Sequence, residues 1–369
     1  MAPGIPRDTT VWILTDGKAG DEVQCLGVAA ALDVEPQIRR VRPRAPWVWL
    51  GPFAPVPPAD RPDRAGSPIA PPFPDLVIAS GRRAAPYVQA VKQASGGRTF
   101  TVILKDPRRG RRAADFLWVP AHDRLRGKNV MVTLTSPHRV SAAALAAERA
   151  ALRPEIAALP GPRVAVLIGG PSKDYRYSDA DSARLGGDLG RLARSGASLM
   201  VTTSRRTPPA VTAIVRAQLA PFPHLLYDGQ GDNPYLAFLA AADAVVATAD
   251  SVNMISEAAA TGAPIFVFTP TGGSRKIRRF LDGLARHGAL KPFAGMLDGT
   301  PYQPLDATPE IAAEIARRFE AHCAALAPPP QPEPEPEPVP ESEPAPEPET
   351  AAETVRDPAP DPEPPRSAG

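Results

Sequence analysis

Short, wholly apolar runs recur along this chain, each closed by a small or charged turn and followed by a helical pattern. Val11 to Leu14 ends at Asp16-Gly17-Lys18-Ala19-Gly20, after which Val23, Leu26 and Ala30 fall on one side of a helix. Leu76 to Ala79 leads into Ser80-Gly81-Arg82-Arg83 and a helix over 84–94, and Phe100 to Leu104 into Lys105-Asp106-Pro107-Arg108. Phe116 to Val119 ends at Pro120-Ala121-His122-Asp123. Strands that are apolar at every position need cover on both faces, and alternation with helices provides it in a parallel sheet. An alanine-rich helix over 142–158 then meets Pro160-Gly161-Pro162, and the pattern restarts. Val164 to Ile168, Ser198 to Thr202, His224 to Asp228, Ala244 to Ala247 and finally Ile265 to Phe268 read as strands, with helices over 178–195, 234–241 and 250–261. The expectation is an α/β protein of two Rossmann-like domains facing a cleft, one over 1–158 and one over 159–307. An amphipathic helix over 308–327, with Ile311, Ile315 and Phe319 spaced by four, closes the fold.

Proline marks where this pattern stops. Eleven of the 49 prolines lie between Pro43 and Pro74, so 39–74 is expected to be an irregular excursion from the first domain. The segment 328–369 holds 16 prolines and 11 acidic residues against two arginines. It has almost no apolar surface to bury and is expected to be a disordered, polyproline-like tail. Such a tail is either a ligand for a proline-reading protein partner or a solvating spacer. It carries −9, which leaves +11 on the remainder of a chain whose overall charge is only +2. A body of that sign favours anionic ligands.

Several classes are excluded. Two cysteines, Cys25 and Cys323, provide neither a disulfide framework nor a cysteine-rich zinc site. No secretory leader pattern and no run of about 18 apolar residues is present, so a cytoplasmic protein is expected. No helix-turn-helix, RRM or zinc pattern accompanies the charge, so nucleic acid is not an expected partner. The stretch from Arg39 to Trp49 is basic and then aromatic, a composition suited to peripheral contact with anionic lipid on the inner face of a membrane. The alternative is that its tryptophans are core contacts.

In open α/β sheets ligands bind beyond the carboxyl ends of the strands, which singles out the turns. Gly169 and Gly170 allow close approach of backbone amides to a phosphate, and Ser172 and Lys173 follow them. Thr203, Ser204 and Arg205 add hydroxyls and a guanidinium suited to a diphosphate. Ser251 and Asn253 open the helix after Ala247, and Glu257, two turns in, has the reach for a ribose diol. In the first half, Asp16 and His122 stand at strand ends, where a general base would meet an acceptor hydroxyl.

The run from Ala242 to Ala258 resembles the C-terminal domain of GT-B glycosyltransferases, particularly the peptidoglycan N-acetylglucosaminyl transferases. A wider resemblance is to the mitochondrial-fission "elongated mitochondria" family. It is carried by the Asp16–Gln24 run, Lys105-Asp106-Pro107-Arg108 and His122-Asp123-Arg124-Leu125. Ile168-Gly169-Gly170, Thr203 to Pro208 and Asp250 to Glu257 complete it, in order. The first resemblance implies a nucleotide-diphosphate sugar as substrate, with no separate cofactor and no required metal, and Glu257 on the ribose. The activity it implies is a metal-independent glycosyltransferase; a sugar-nucleotide epimerase on the same fold and a non-catalytic adaptor are the alternatives.

Overall fold

In the computed structural model, the described residues are 5–326 and Ala359; the tail predicted over 328–369 otherwise lies outside them. The first half builds β1 (Val11–Thr15), α1 (Ala19–Ala31), β2 (Gln37–Arg40), β3 (Leu76–Ser80), α2 (Ala85–Ala94), β4 (Phe100–Leu104), β5 (Phe116–Pro120) and β6 (Val130–Thr133). These strands form one parallel sheet in the order β2-β1-β3-β4-β5-β6. Residues 41–75 cross from β2 to β3 without sheet, holding only two short 3-10 turns, Trp47–Phe53 and Pro58–Asp60.

The connection between the halves is α3 (Ala142–Ala150) and α4 (Pro154–Ala157). The single alanine-rich helix expected over 142–158 is broken because Pro154 starts a new turn and Arg153 before it is extended. The second half continues with β7 (Arg163–Ile168), β8 (Tyr175–Arg176), α5 (Asp179–Arg194), β9 (Ser198–Thr203), α6 (Pro209–Leu219), β10 (His224–Tyr227) and α7 (Tyr235–Ala241). There follow β11 (Ala244–Thr248), α8 (Val252–Ala259), β12 (Ile265–Phe268), β13 (Thr271–Gly272), α9 (Arg275–Arg286), β14 (Leu290–Pro292) and α10 (Thr308–Leu326). The second parallel sheet runs β10-β9-β7-β11-β12-β14, while β8 and β13 pair antiparallel beside it. Ile265–Phe268 is therefore not the last strand; β14 adds an edge beyond it. Its sequence, Leu290-Lys291-Pro292, lacks the apolar run that marks a central strand.

The five central strands named first by their apolarity are buried at every position: β1, β3, β4, β5 and β11. The sheets are covered on both faces. On sheet one, Cys25 and Val28 of α1 and Leu32 just after it join Ile311, Ile315 and Phe319 of α10 against Ile13, Ile78 and Val102. Helix α10 thus returns to the first sheet after the second is complete. Tyr87, Val88 and Val91 of α2 cover the other face with Ile69 from the irregular segment. Fully burying a side chain of this kind contributes about 1.5–3 kcal/mol, so this cover sets the geometry of the strand ends.

Both sheets have a topological switch point, the place where successive strands leave in opposite directions. In the first it lies between β1 and β3; in the second, between β7 and β11. Crevices at such points are where open α/β sheets receive ligands.

Candidate functional site

The first switch point is open. A cavity of about 560 Å³ lies beyond the carboxyl ends of β1, β3, β4 and β5, and Lys173 and Lys276 of the second half reach its wall. Seven cationic side chains line it: Lys18, Arg82, Arg83, Lys105, Arg108, Lys173 and Lys276. Four carboxylates oppose them: Asp16, Asp21, Asp106 and Asp123. Each carboxylate is already taken, Asp16 by Lys18 at 2.6 Å, Asp21 by Lys105, Asp106 by Arg108 at 3.5 Å, and Asp123 by Lys276 at 2.7 Å. Arg82 and Arg83 are exposed and have no carboxylate in ion-pair range among the described residues. Lys173 is 84% exposed and has only Asp174 at 3.8 Å. The cavity therefore has surplus positive charge on both sides.

Asp16 is the least solvated group there. Its side chain is 2% exposed; Oδ2 accepts from Lys18, and the buried Oδ1 has no hydrogen-bond partner. An unpartnered oxygen on a buried carboxylate is hydrogen-bonding capacity that the fold leaves unused. Lys105 (φ 89°) and Arg108 (φ 62°) hold left-handed backbone conformations, although neither is glycine. Such strain persists where the surroundings enforce it, and here it aims two cations at one space.

His122 does not line this cavity. It is half-buried with its ring edge-on to Phe280 of α9, and its Nδ1 is buried without a partner. Burial first, and then Lys276, pull its pKa down to about 4, against Asp123. It is a neutral imidazole at neutral pH, and a weak base.

The second switch point is filled from within. Gly169 N–H donates to Thr248 Oγ1 and Gly170 N–H to Asp250 Oδ2, each at 2.8 Å. The Asp250 side chain is fully buried and also accepts from Tyr177 Oη at 2.7 Å and Arg206 Nη2 at 3.2 Å. A Cβ on Gly169 would stand 2.1 Å from Asp250 Oδ2, and one on Gly170 2.1 Å from the Arg206 carbonyl oxygen. The glycines are needed for approach by the protein's own aspartate and backbone. The expectation that their amides face a phosphate is corrected accordingly.

The other predicted residues are scattered around this plug. Ser172 Oγ accepts from the amides of Asp174 and Tyr175 and so shapes its own turn. Thr203 Oγ1 donates to the Tyr227 carbonyl, Ser204 is held by Thr207, and Arg205 is exposed. Arg206 rather than Arg205 is the guanidinium that reaches inward, donating to the Gly170 and Pro171 carbonyls as well as to Asp250. Ser251 precedes α8 without capping it. Asn253 bridges the halves: it accepts from Gln24 Nε2 at 3.1 Å and donates to the Gly20 carbonyl at 3.3 Å. A Cβ on Gly20 would lie 2.7 Å from the Asn253 amide nitrogen, so a larger residue there would displace that amide.

Glu257 is half-buried on α8, and its Oε2 accepts from Tyr235 Oη at 2.5 Å. Burial raises its pKa to about 7, with the Tyr235 hydrogen bond opposing. It is one of the few groups here that titrates near neutrality. Among the described residues no cluster of three or more His, Cys, Asp or Glu has the arrangement to hold a metal ion.

The sequence profile described as mitochondrial fission ELM1 matches residues 19–319. The Arabidopsis thaliana protein named "Mitochondrial fission protein ELM1" is 30% identical over 275 residues, 67% of this chain and 64% of that one. This chain belongs to the mitochondrial fission ELM1 family. It spans less than two thirds of the Arabidopsis relative's length. A Rickettsia prowazekii (strain Madrid E) relative, "Uncharacterized protein RP120", is 31% identical over 160 residues, covering 41% of this chain and 45% of its own. Among solved structures, the UDP-GlcNAc 2-epimerase of Methanocaldococcus jannaschii superposes with a TM-score of 0.51 at 10% identity, over 85% of this chain and 99% of that one. Its complex with UDP-GlcNAc and UDP gives 0.50 at 12% identity, with the same coverage. These likenesses establish the GT-B-type fold for this family member: two Rossmann-like halves and a cleft.

Of the cavity's seven cations, sequence reading placed only Lys173 in the candidate site. Arg82, Arg83, Lys105 and Arg108 sit in turns it names, and the signal was there: two basic residues after β3 and two around Pro107 after β4. Lys276 carried none, because its helix is amphipathic and rich in arginine.

Proposed function

We propose that this protein binds a nucleoside-diphosphate sugar in the cleft and transfers its glycosyl group to an acceptor held by the first half. The observation that carries the reading is the open, cation-lined cavity at the β1–β3 switch point, where Arg82, Arg83 and Lys173 converge without tight carboxylate partners. Solved proteins that share the fold include a UDP-GlcNAc 2-epimerase and its complex with UDP-GlcNAc and UDP, which supports a nucleotide-sugar ligand.

In this scheme Lys173 and Lys276 hold the diphosphate from the second half, and Glu257 accepts from the ribose. The acceptor hydroxyl oxygen attacks the anomeric carbon and gives its proton to Asp16 Oδ1. The bond from that carbon to the diphosphate oxygen breaks, and its electron pair leaves on the diphosphate. Fixed cations around that oxygen stabilise the developing charge without reorganising at the moment of reaction. His122, outside the cavity and weakly basic, is not the base in this reading.

A non-catalytic adaptor is the second reading. It is favoured by the filled β7–β11 crevice, where Asp250 takes a position that a ligand anion would otherwise occupy. Isothermal titration with UDP and UDP-GlcNAc separates the two: saturable binding, weakened in Glu257→Ala, supports the enzyme, and no binding to either overturns it. If binding is seen, product analysis follows. Epimerised UDP-sugar formed without any acceptor would replace transfer by epimerisation.

A further inference from the structure

The 3-10 turn Trp47–Phe53 forms part of the cavity wall through Val48 and Gly51, yet its tip faces away from the core. Trp49 is 79% exposed, Leu50 55% and Phe53 71%, the densest group of exposed large apolar side chains among the described residues. The basic half of this stretch behaves differently from the sequence expectation. Arg39 lies 3.4 Å over the Trp12 ring and donates to the Pro68 and Ala70 carbonyls, and Arg40 is paired with Glu22. Arg42 and Arg44 remain exposed beside the apolar tip, without a carboxylate partner among the described residues. An apolar prong flanked by free guanidiniums matches the depth profile of an anionic bilayer, apolar inside and negative at the headgroups. A protein groove that received the same prong would have to leave those charges at its rim.

Resting on the glycosyl-transfer reading above, we propose that the acceptor is a membrane lipid with a phosphate-bearing, hydroxylated headgroup. The prong Trp49-Leu50-Phe53 beds in the bilayer, and the headgroup enters the cleft mouth against Arg82 and Arg83. The two features are adjacent because the turn that carries the prong is also a wall of the cavity. A headgroup phosphate at Arg82 and Arg83 places its hydroxyl on the side of Asp16, whose Oδ1 is without a partner.

The test uses the full chain and sedimentation with phosphatidylcholine vesicles, with and without phosphatidylglycerol. Wild type should partition onto the phosphatidylglycerol vesicles, and Trp49→Ser/Leu50→Ser/Phe53→Ser should partition roughly tenfold less, with unchanged charge. Vesicle binding should shift the tryptophan emission to the blue, and Trp49→Phe should lose most of that shift while still sedimenting. UDP titration of the triple variant must match wild type; failure of wild type to bind UDP overturns the underlying reading and with it the acceptor role of the lipid, while the bilayer contact of the prong is judged by sedimentation alone. With labelled UDP-sugar, the label should enter the lipid fraction and not sn-glycerol 3-phosphate offered free in solution. Equal partitioning of the triple variant overturns the proposal. So does label on the free headgroup alone, or a self-association abolished by the triple variant in the absence of any vesicle binding.

Discussion

Replacing Glu257 by glutamine tests whether the carboxylate on α8 is retained against the interest of the fold. The carboxyl titrates near its ordinary 4.5 when the chain is unfolded, and near about 7 in the folded protein, because burial penalises the charge more than Tyr235 stabilises it. Between those values the folded state keeps a proton that the unfolded state has released. Stability from this group is therefore complete below pH 4.5, is lost as pH rises to about 7, and stays lost above it. The full span corresponds to about 3.4 kcal/mol. The side chain as a whole is only half-buried, and solvent screening brings the figure to about 2 kcal/mol. Glutamine keeps an acceptor for the Tyr235 hydroxyl and carries no charge. Glu257→Gln should therefore be more stable than wild type by about 2 kcal/mol at pH 8 and equal to it at pH 4.5.

The assay is urea unfolding followed by tryptophan fluorescence, to which the buried Trp12 and Trp118 contribute. At pH 8 the midpoint should rise by roughly 0.5 M, since a body of this size has a steep urea dependence. Equal midpoints at pH 8 would refute the reasoning, as would a gain that is the same at both pH values. A variant that gains stability yet loses UDP affinity shows the carboxylate serving a ligand at the expense of the fold.

Asp250→Ala should lower stability by about 3–4 kcal/mol, because it strands the Gly170 amide, the Tyr177 hydroxyl and Arg206. In a thermal melt this is a drop of about 5 °C, and a change within 2 °C would contradict it. Lys173→Gln should weaken UDP-sugar binding about tenfold by titration at low salt and less as salt rises; a loss independent of salt would show that the lysine acts through packing. Asp16→Asn should reduce turnover by about 100-fold while leaving the UDP dissociation constant within about threefold, and an equal loss in both would remove Asp16 from the proton transfer.

The parts of the fold that sequence made legible are those whose side chains are all apolar. Five-residue runs such as Phe116–Pro120 admit no reading other than a covered strand. Three of the four edge strands, β2, β6 and β14, escaped for the complementary reason. Gln37–Arg40 is an exposed strand of polar residues, held by its backbone pairing with β1 and by Arg39 lying over Trp12, neither of which is written as a pattern. The candidate site was legible in its location and less so in its atoms. Strand-end turns were the right places, but spacing does not reveal whether a glycine makes room for a ligand or for Asp250, 80 residues further on. The same limit applies to Asn253, whose amide faces Gln24 across the cleft.

The two switch points, taken together, constrain where an anionic ligand can sit. At the second, a buried carboxylate already neutralises the glycine amide and half of Arg206; a diphosphate placed there would meet Asp250 at contact distance in a poorly solvated space. Like charges so close cost several kcal/mol unless one of them is protonated or displaced. The first switch point has the reverse balance, since its four carboxylates are each paired and three further cations remain. A diphosphate is therefore drawn toward the first half, and the second half contributes Lys173 and Lys276 from across the cleft. Binding then depends on how near the halves stand, which is fixed by Asn253 with Gln24 and by Lys276 with Asp123 at 2.7 Å. Loss of the Asn253 bridge through Gln24→Ala should loosen nucleotide binding without touching a residue that lines the cavity, and that dependence distinguishes a ligand shared by both halves from one held by the second half alone.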